Sequence, residues 1–141
     1  MQDNLTSGAA GVATVDEGLI TYTHVIYALH ALAVLVGVTT AATVVGSFVG
    51  GIPSIVAVIM NYARRSATRG TFLESHFRWQ IRTFWFALLW MLVISVVSLP
   101  LVLVVIGIPL LFIGFGALAV WIIYRVARGW LALRDRRPMY I

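Results

Sequence analysis

The chain has 141 residues, 61% of them hydrophobic and only 11% charged, and its mean hydropathy is +0.98. A soluble domain carries about 25% charged residues, so this composition excludes an ordinary water-soluble fold and points to an integral membrane protein. There is no cysteine, which excludes disulfides and thiolate metal sites; the net charge of +5 does not point to nucleic acid, because nearly everything between the charges is lipid-compatible.

In chain order, residues 1–18 are small, polar and acidic, without the basic region a signal peptide needs, and read as a flexible N-terminal tail. A transmembrane domain of residues 19–133 follows, and residues 134–141 form a short C-terminal tail. No charge occurs from Val25 to Met60, nor from Thr83 to Tyr124. One helix needs about 20 residues to cross roughly 30 Å of hydrocarbon, so each block reads as a helical hairpin. The fold expected is all-α, a bundle of four transmembrane helices.

Gly and Pro suggest the turns, at Gly46–Pro53 and Val105–Pro109, with spans near 19–45, 52–63, 83–105 and 109–126. The second span is short. A turn at Gly37–Thr40, with Gly50, Gly51 and Pro53 inside a bent helix, would lengthen it.

All ten basic residues are arginines, and they fall in two segments. Arg64, Arg65, Arg69, Arg78 and Arg82 lie between the hairpins; Arg125, Arg128, Arg134, Arg136 and Arg137 lie at the end. The positive-inside rule puts both segments in the cytoplasm, and an even number of spans puts the N-terminus on that side with the C-terminus. Trp79, Trp121, Tyr124 and Trp130 flank the arginines, as expected of aromatics at the headgroup layer.

Residues 64–82 read as an interfacial amphipathic segment leading into the third span. Glu74, Arg78 and Arg82 form an i, i+4, i+8 ladder, while His76, Gln80 and Thr83 form a second polar stripe. Two readings of Glu74 stand together: one exposed intrahelical pair, or a partly buried tie to Arg125 or Arg128 that closes a polar cluster with His76 and Gln80. Arg64, Arg65, Arg78, Arg82, Arg125 and Arg128 are the candidate contacts to anionic lipid headgroups or to a partner.

His24 and His30 are six residues apart, roughly 120° around a helix, and cannot grip one metal together. No phosphate-cradling loop, His-Glu-x-x-His motif or intramembrane carboxylate pair is present in the sequence, so neither a cofactor nor catalysis is expected.

The stretches YALHAL (Tyr27 to Leu32), AVIMNYARR (Ala57 to Arg65), RGTFLESHFRWQIRTFW (Arg69 to Trp85), IGIPLLF (Ile106 to Phe112) and YRVARGWLALRDRRPMY (Tyr124 to Tyr140) resemble an uncharacterised family of small bacterial inner-membrane proteins. That family is grouped with the four-helix plastid inner-envelope translocon (Tic) component. The resemblance implies a small helical membrane domain and carries no assigned reaction. Two functions are then expected as alternatives: an accessory or structural subunit that contacts anionic lipid and other membrane subunits or itself, or an oligomeric channel or translocon-like transporter.

Overall fold

The computed structural model describes residues 15–40 and 44–139. Its elements are α1 (Glu17–Thr40), α2 (Val44–Ala63), a single 3-10 turn at Arg65–Thr68, α3 (Leu73–Val102) and α4 (Gly107–Arg134). The described residues contain no strand. The first fourteen residues of the expected tail lie outside the described part of the chain. α1 pairs with α2 and α3 with α4, and the two hairpins meet mainly where α1 packs on α4. Among the described residues, three helices, α1, α3 and α4, are long and apolar enough to cross a membrane.

The expected boundaries need two corrections. The break in the first hairpin is not at Gly46–Pro53: α1 ends at Thr40 and α2 begins at Val44, running through Pro53 without interruption. Thr39 favours the earlier stop, because its hydroxyl bonds back to the Leu35 and Val36 carbonyls, at 2.8 and 3.1 Å, in the last turn of α1. In α2 the proline's missing N–H is tolerable within a packed hairpin.

The second correction concerns where the helix leading into the third span begins: within residues 64–82 it starts only at Leu73, after the 3-10 turn at Arg65–Thr68. Gly70, at φ +75°, turns the chain after the 3-10 segment, and α3 then runs unbroken for 30 residues from Leu73. Its start is fixed by a variant capping box in Thr71-Phe72-Leu73-Glu74. The Thr71 hydroxyl accepts the Leu73 N–H at 3.3 Å, and the Glu74 carboxylate accepts the Gly70 N–H at 3.1 Å. At the start of α1, Asp16 accepts the Gly18 N–H at 3.0 Å.

Because the helices alternate in direction, all ten arginines gather at one end of the bundle. The packed interior gathers there too. One cluster joins Leu19, Ile20, Tyr27, Leu73, Val126 and Leu133, and another joins Ile26, Ala57 and Phe77. Towards the opposite end α3 and α4 expose their apolar side chains, among them Leu92, Val96, Leu99, Phe112 and Ile113. Burial is therefore concentrated among the polar residues, and the hydrocarbon-rich lengths face outward, as lipid-solvated helices do.

At the far end α3 passes Pro100, and Leu103–Ile106 turns the chain into α4. Gly107 is buried against the backbone of Ser98, Leu101 and Val102, with no room for a Cβ. Val105 sits at φ +67°, a region that is costly for a β-branched residue. Thermal unfolding in detergent should therefore show Gly107→Ala destabilised by about 1–3 kcal/mol, the usual range for overpacking. Val105→Gly should be stabilised by about 1 kcal/mol through relief of its left-handed backbone.

Candidate functional site at the basic end

The polar residues of α3 divide by face. Glu74, Arg78 and Arg82 look outward, whereas His76, Gln80 and Thr83 are buried against α1 and α4. The sequence-level cluster of Glu74, His76 and Gln80 is thus split. Glu74 pairs at 3.3 Å with Arg78 in its own helix, both side chains being more than two-fifths exposed, and it makes no tie to Arg125 or Arg128.

His76 is the centre of the buried network. Its Nε2 lies 2.7 Å from the Arg137 carbonyl, which can only accept, so Nε2 carries the proton. Nδ1 is then an acceptor and takes the Tyr27 hydroxyl proton at 2.9 Å. The Tyr27 and Phe72 rings meet the imidazole edge-on, at 5.9 and 6.0 Å.

Tyr27 reaches this position because Gly129 leaves space for it on α4. A Cβ there would lie 2.5 Å from the phenol oxygen and 2.7 Å from the ring. A glycine inside a helix costs about 1 kcal/mol relative to alanine, and close approach of α1 is the return.

The segment after α4 folds back rather than trailing as a free tail. Arg136 takes the left-handed cap position at φ +52°, and the Arg136 and Arg137 N–H groups bond to the Leu133 and Ala132 carbonyls. This is a Schellman ending with arginine where glycine is usual. It turns the chain so that Met139 donates its N–H to Ser75 Oγ at 2.9 Å, buries its own side chain, and lets Arg136 reach Glu17 at 2.8 Å. Asp135 pairs with Arg134 and Arg137; the Arg137 hydrogen bond foremost, with that of Arg134, holds its carboxyl below the usual range.

A second set of bonds clamps α3 to α4. Trp79 donates its indole N–H to the Arg125 carbonyl at 3.1 Å, Arg125 Nε donates to Thr83 Oγ1 at 2.7 Å, and Thr83 donates to the Trp79 carbonyl at 2.7 Å. The Arg125 guanidinium lies 3.6 Å from the centre of the Trp79 ring and 5.1 Å from that of Trp121. Arg128 also lies over Trp79, at 5.7 Å, and donates to the Tyr124 hydroxyl at 3.0 Å. Below this clamp is a cavity of about 10 Å³, the scale of one water molecule, whose lining includes Tyr27, His30, Gln80 and Arg125. His30 Nε2 and the Gln80 amide find no protein partner among the described residues.

The expected interface aromatics take different places. Trp79 is buried between α3 and α4, its indole N–H on the Arg125 carbonyl, and so does not present its ring outward. Tyr124 is exposed, while Trp121 and Trp130 are half-buried, Trp130 donating to His24 Nδ1 on α1 at 3.0 Å. Arg64 and Arg65 are exposed beside α2, Arg64 lying over the Tyr22 ring at 5.5 Å.

The three histidines are separately engaged, His24 by Trp130, His30 by Ser54 and His76 by Tyr27, and the described residues contain no group of three metal-ligating side chains. No known protein-family profile, curated protein or solved structure matches the chain.

Tyr27→Phe removes the donor to a buried imidazole nitrogen and should cost about 1–3 kcal/mol in detergent unfolding. Glu74→Ala, which breaks the exposed pair with Arg78 and the capping bond from the Gly70 N–H, should cost no more than about 2 kcal/mol in the same measurement.

Proposed function

We propose that the chain is a four-span protein of the bacterial inner membrane, with both termini cytoplasmic, and that it works without catalysis as a structural or accessory subunit. Its partners are other membrane subunits or further copies of itself, and its basic end contacts anionic phospholipid.

Helix length supports the placement. α3 and α4, at 30 and 28 residues, extend about 45 and 42 Å, some 12–15 Å beyond the hydrocarbon thickness. Their charge-free lengths, Thr83–Val102 and Gly107–Tyr124, cover about 30 and 27 Å, so the surplus falls on the arginine-bearing turns. α2, with 20 residues, is about 30 Å long and suffices for a fourth span. The gathering of arginines at one end supports the cytoplasmic assignment through the positive-inside rule.

The observation that carries the accessory role is a contrast among glycines within helices. Gly107, Gly114 and Gly129 are each filled by a close neighbour: the α3 backbone, Ile94 and Tyr27. Gly37 in α1, Gly51 in α2 and Gly116 in α4 have nothing within 4 Å of where a Cβ would be. Each gives up helix propensity with no close approach among the described residues in return, and small residues on outward faces are where membrane helices of another subunit pack. A pore is less well supported, since the Thr39 and Ser95 hydroxyls bond carbonyls of their own helices instead of lining a path.

Gly116→Leu is the test, because the space around Gly116 leaves the monomer fold unaffected. Purified from native membranes in mild detergent, the unaltered chain should migrate as a complex or oligomer, and Gly116→Leu should migrate mainly as the free chain with unchanged thermal stability. Bilayers containing the isolated protein should remain electrically silent. Reproducible conductance events, or a monomeric unaltered chain with no co-purifying subunit, would contradict the accessory role.

A further inference from the structure

Ten arginines face five carboxylates in this chain. Among the described residues, ion pairs engage Arg78, Arg134, Arg136 and Arg137. Arg64, Arg65, Arg69, Arg82, Arg125 and Arg128 have no carboxylate partner there. Arg125 and Arg128 stand apart from the other four, because both guanidinium groups are held over one buried indole, that of Trp79. Arg125 is fixed further by its Nε bond to Thr83 and by Trp121, and Arg128 by its Nη1 bond to Tyr124. Arg82 lies within electrostatic reach of Arg125.

Holding like charges together is unfavourable unless an anion offsets them, and here the offset does not come from a carboxylate of the described chain. Arg125 keeps its two terminal nitrogens for a further acceptor, and Arg128 keeps Nη2 and Nε. Two guanidinium forks anchored on one indole can donate to the two non-bridging oxygens of a phosphodiester. Their depth also matches. Arg125 directly follows the charge-free length of α4, and Arg82 directly precedes that of α3, so both stand at the edge of the hydrocarbon, where glycerophospholipid phosphates lie.

We propose that Arg125 and Arg128, with Arg82 beside them, form a defined site for the phosphodiester of one anionic phospholipid on the α3–α4 face. Arg82 supplies the selectivity: it attracts a headgroup of net negative charge and repels the ammonium of a zwitterionic one. The site rests on the membrane placement proposed above and specifies which of the basic residues hold lipid.

Native mass spectrometry of the full chain, exchanged into detergent with equal phosphatidylglycerol and phosphatidylcholine, tests it. One phosphatidylglycerol should be retained per chain in preference to phosphatidylcholine. Arg125→Gln and Arg128→Gln should each lower that retention about five-fold, the effect of one basic residue at an anionic surface. Arg125→Lys, which keeps the charge and loses the fork, should lower it as well, whereas the double variant Arg64→Gln, Arg65→Gln should leave it unchanged. If Arg125→Gln fails to fold, Arg128→Gln, in which the Thr83 clamp is intact, decides the point alone.

Equal losses in the Arg64, Arg65 double variant, or equal retention of both lipids, would reduce the site to diffuse surface charge and overturn the proposal. Glycerol phosphate competing as well as phosphatidylglycerol would overturn the lipid assignment in favour of a soluble phosphate ester. Failure of lipid selectivity while Gly116→Leu still dissolves the complex refutes this site alone; arginines labelled from the outer side of intact cells would refute the membrane placement itself.

Discussion

The fold at the basic end depends on one steric constraint, the approach of Tyr27 on α1 to Gly129 on α4. With no Cβ at 129, the phenol ring crosses the helix surface and its hydroxyl reaches His76 on α3. His76 can accept that proton because its other nitrogen is committed to the Arg137 carbonyl, and that carbonyl is in place because α4 ends in a left-handed turn at Arg136. Three helices and the returning chain end are thus ordered around one imidazole. Each bond alone contributes about 1 kcal/mol, but each also satisfies a buried group whose isolation would cost more.

This arrangement reverses the polarity of a water-soluble domain along the bundle axis. The buried groups near the arginines include Thr23, His76, Gln80 and Thr83, whereas the outward surfaces further along α3 and α4 are Leu, Val, Ile and Phe. In hydrocarbon the apolar faces are already solvated and offer little drive to associate, so specificity comes from hydrogen bonds and close backbone approach. That explains why glycine takes three quite different roles: a tight turn contact at Gly107, an internal gap at Gly129, and open positions such as Gly116 on an outer face.

Much of this was legible in the sequence. Two long charge-free blocks separated by arginines were sufficient for paired apolar helices, and the i, i+4 spacing of Glu74 and Arg78 was sufficient for their intrahelical pair. The sequence leaves the first hairpin break between two places, and the one at Gly46–Pro53 is excluded: Gly50, Gly51 and Pro53 are strong breakers in water but tolerable in a packed membrane helix. The polar stripe of His76, Gln80 and Thr83 was visible, yet which side of α3 faces inward is a tertiary choice made by Tyr27 and Trp79. Two signals passed over were Thr71 three residues before Glu74, which caps α3, and the isolated Gly129 within a helical run. The returning chain end carried no comparable signal, since Arg136 occupies a position where glycine is the usual mark.

The most direct measurement is a double-mutant cycle between Gly129→Ala and Tyr27→Ala, read as unfolding free energy in detergent. If the Tyr27–Gly129 approach governs the basic end, Gly129→Ala is destabilising in the unaltered chain. In the Tyr27→Ala background, where the gap is empty, the added methyl group becomes neutral or favourable by up to about 1 kcal/mol. Additive costs, with Gly129→Ala equally destabilising in both backgrounds, would contradict it.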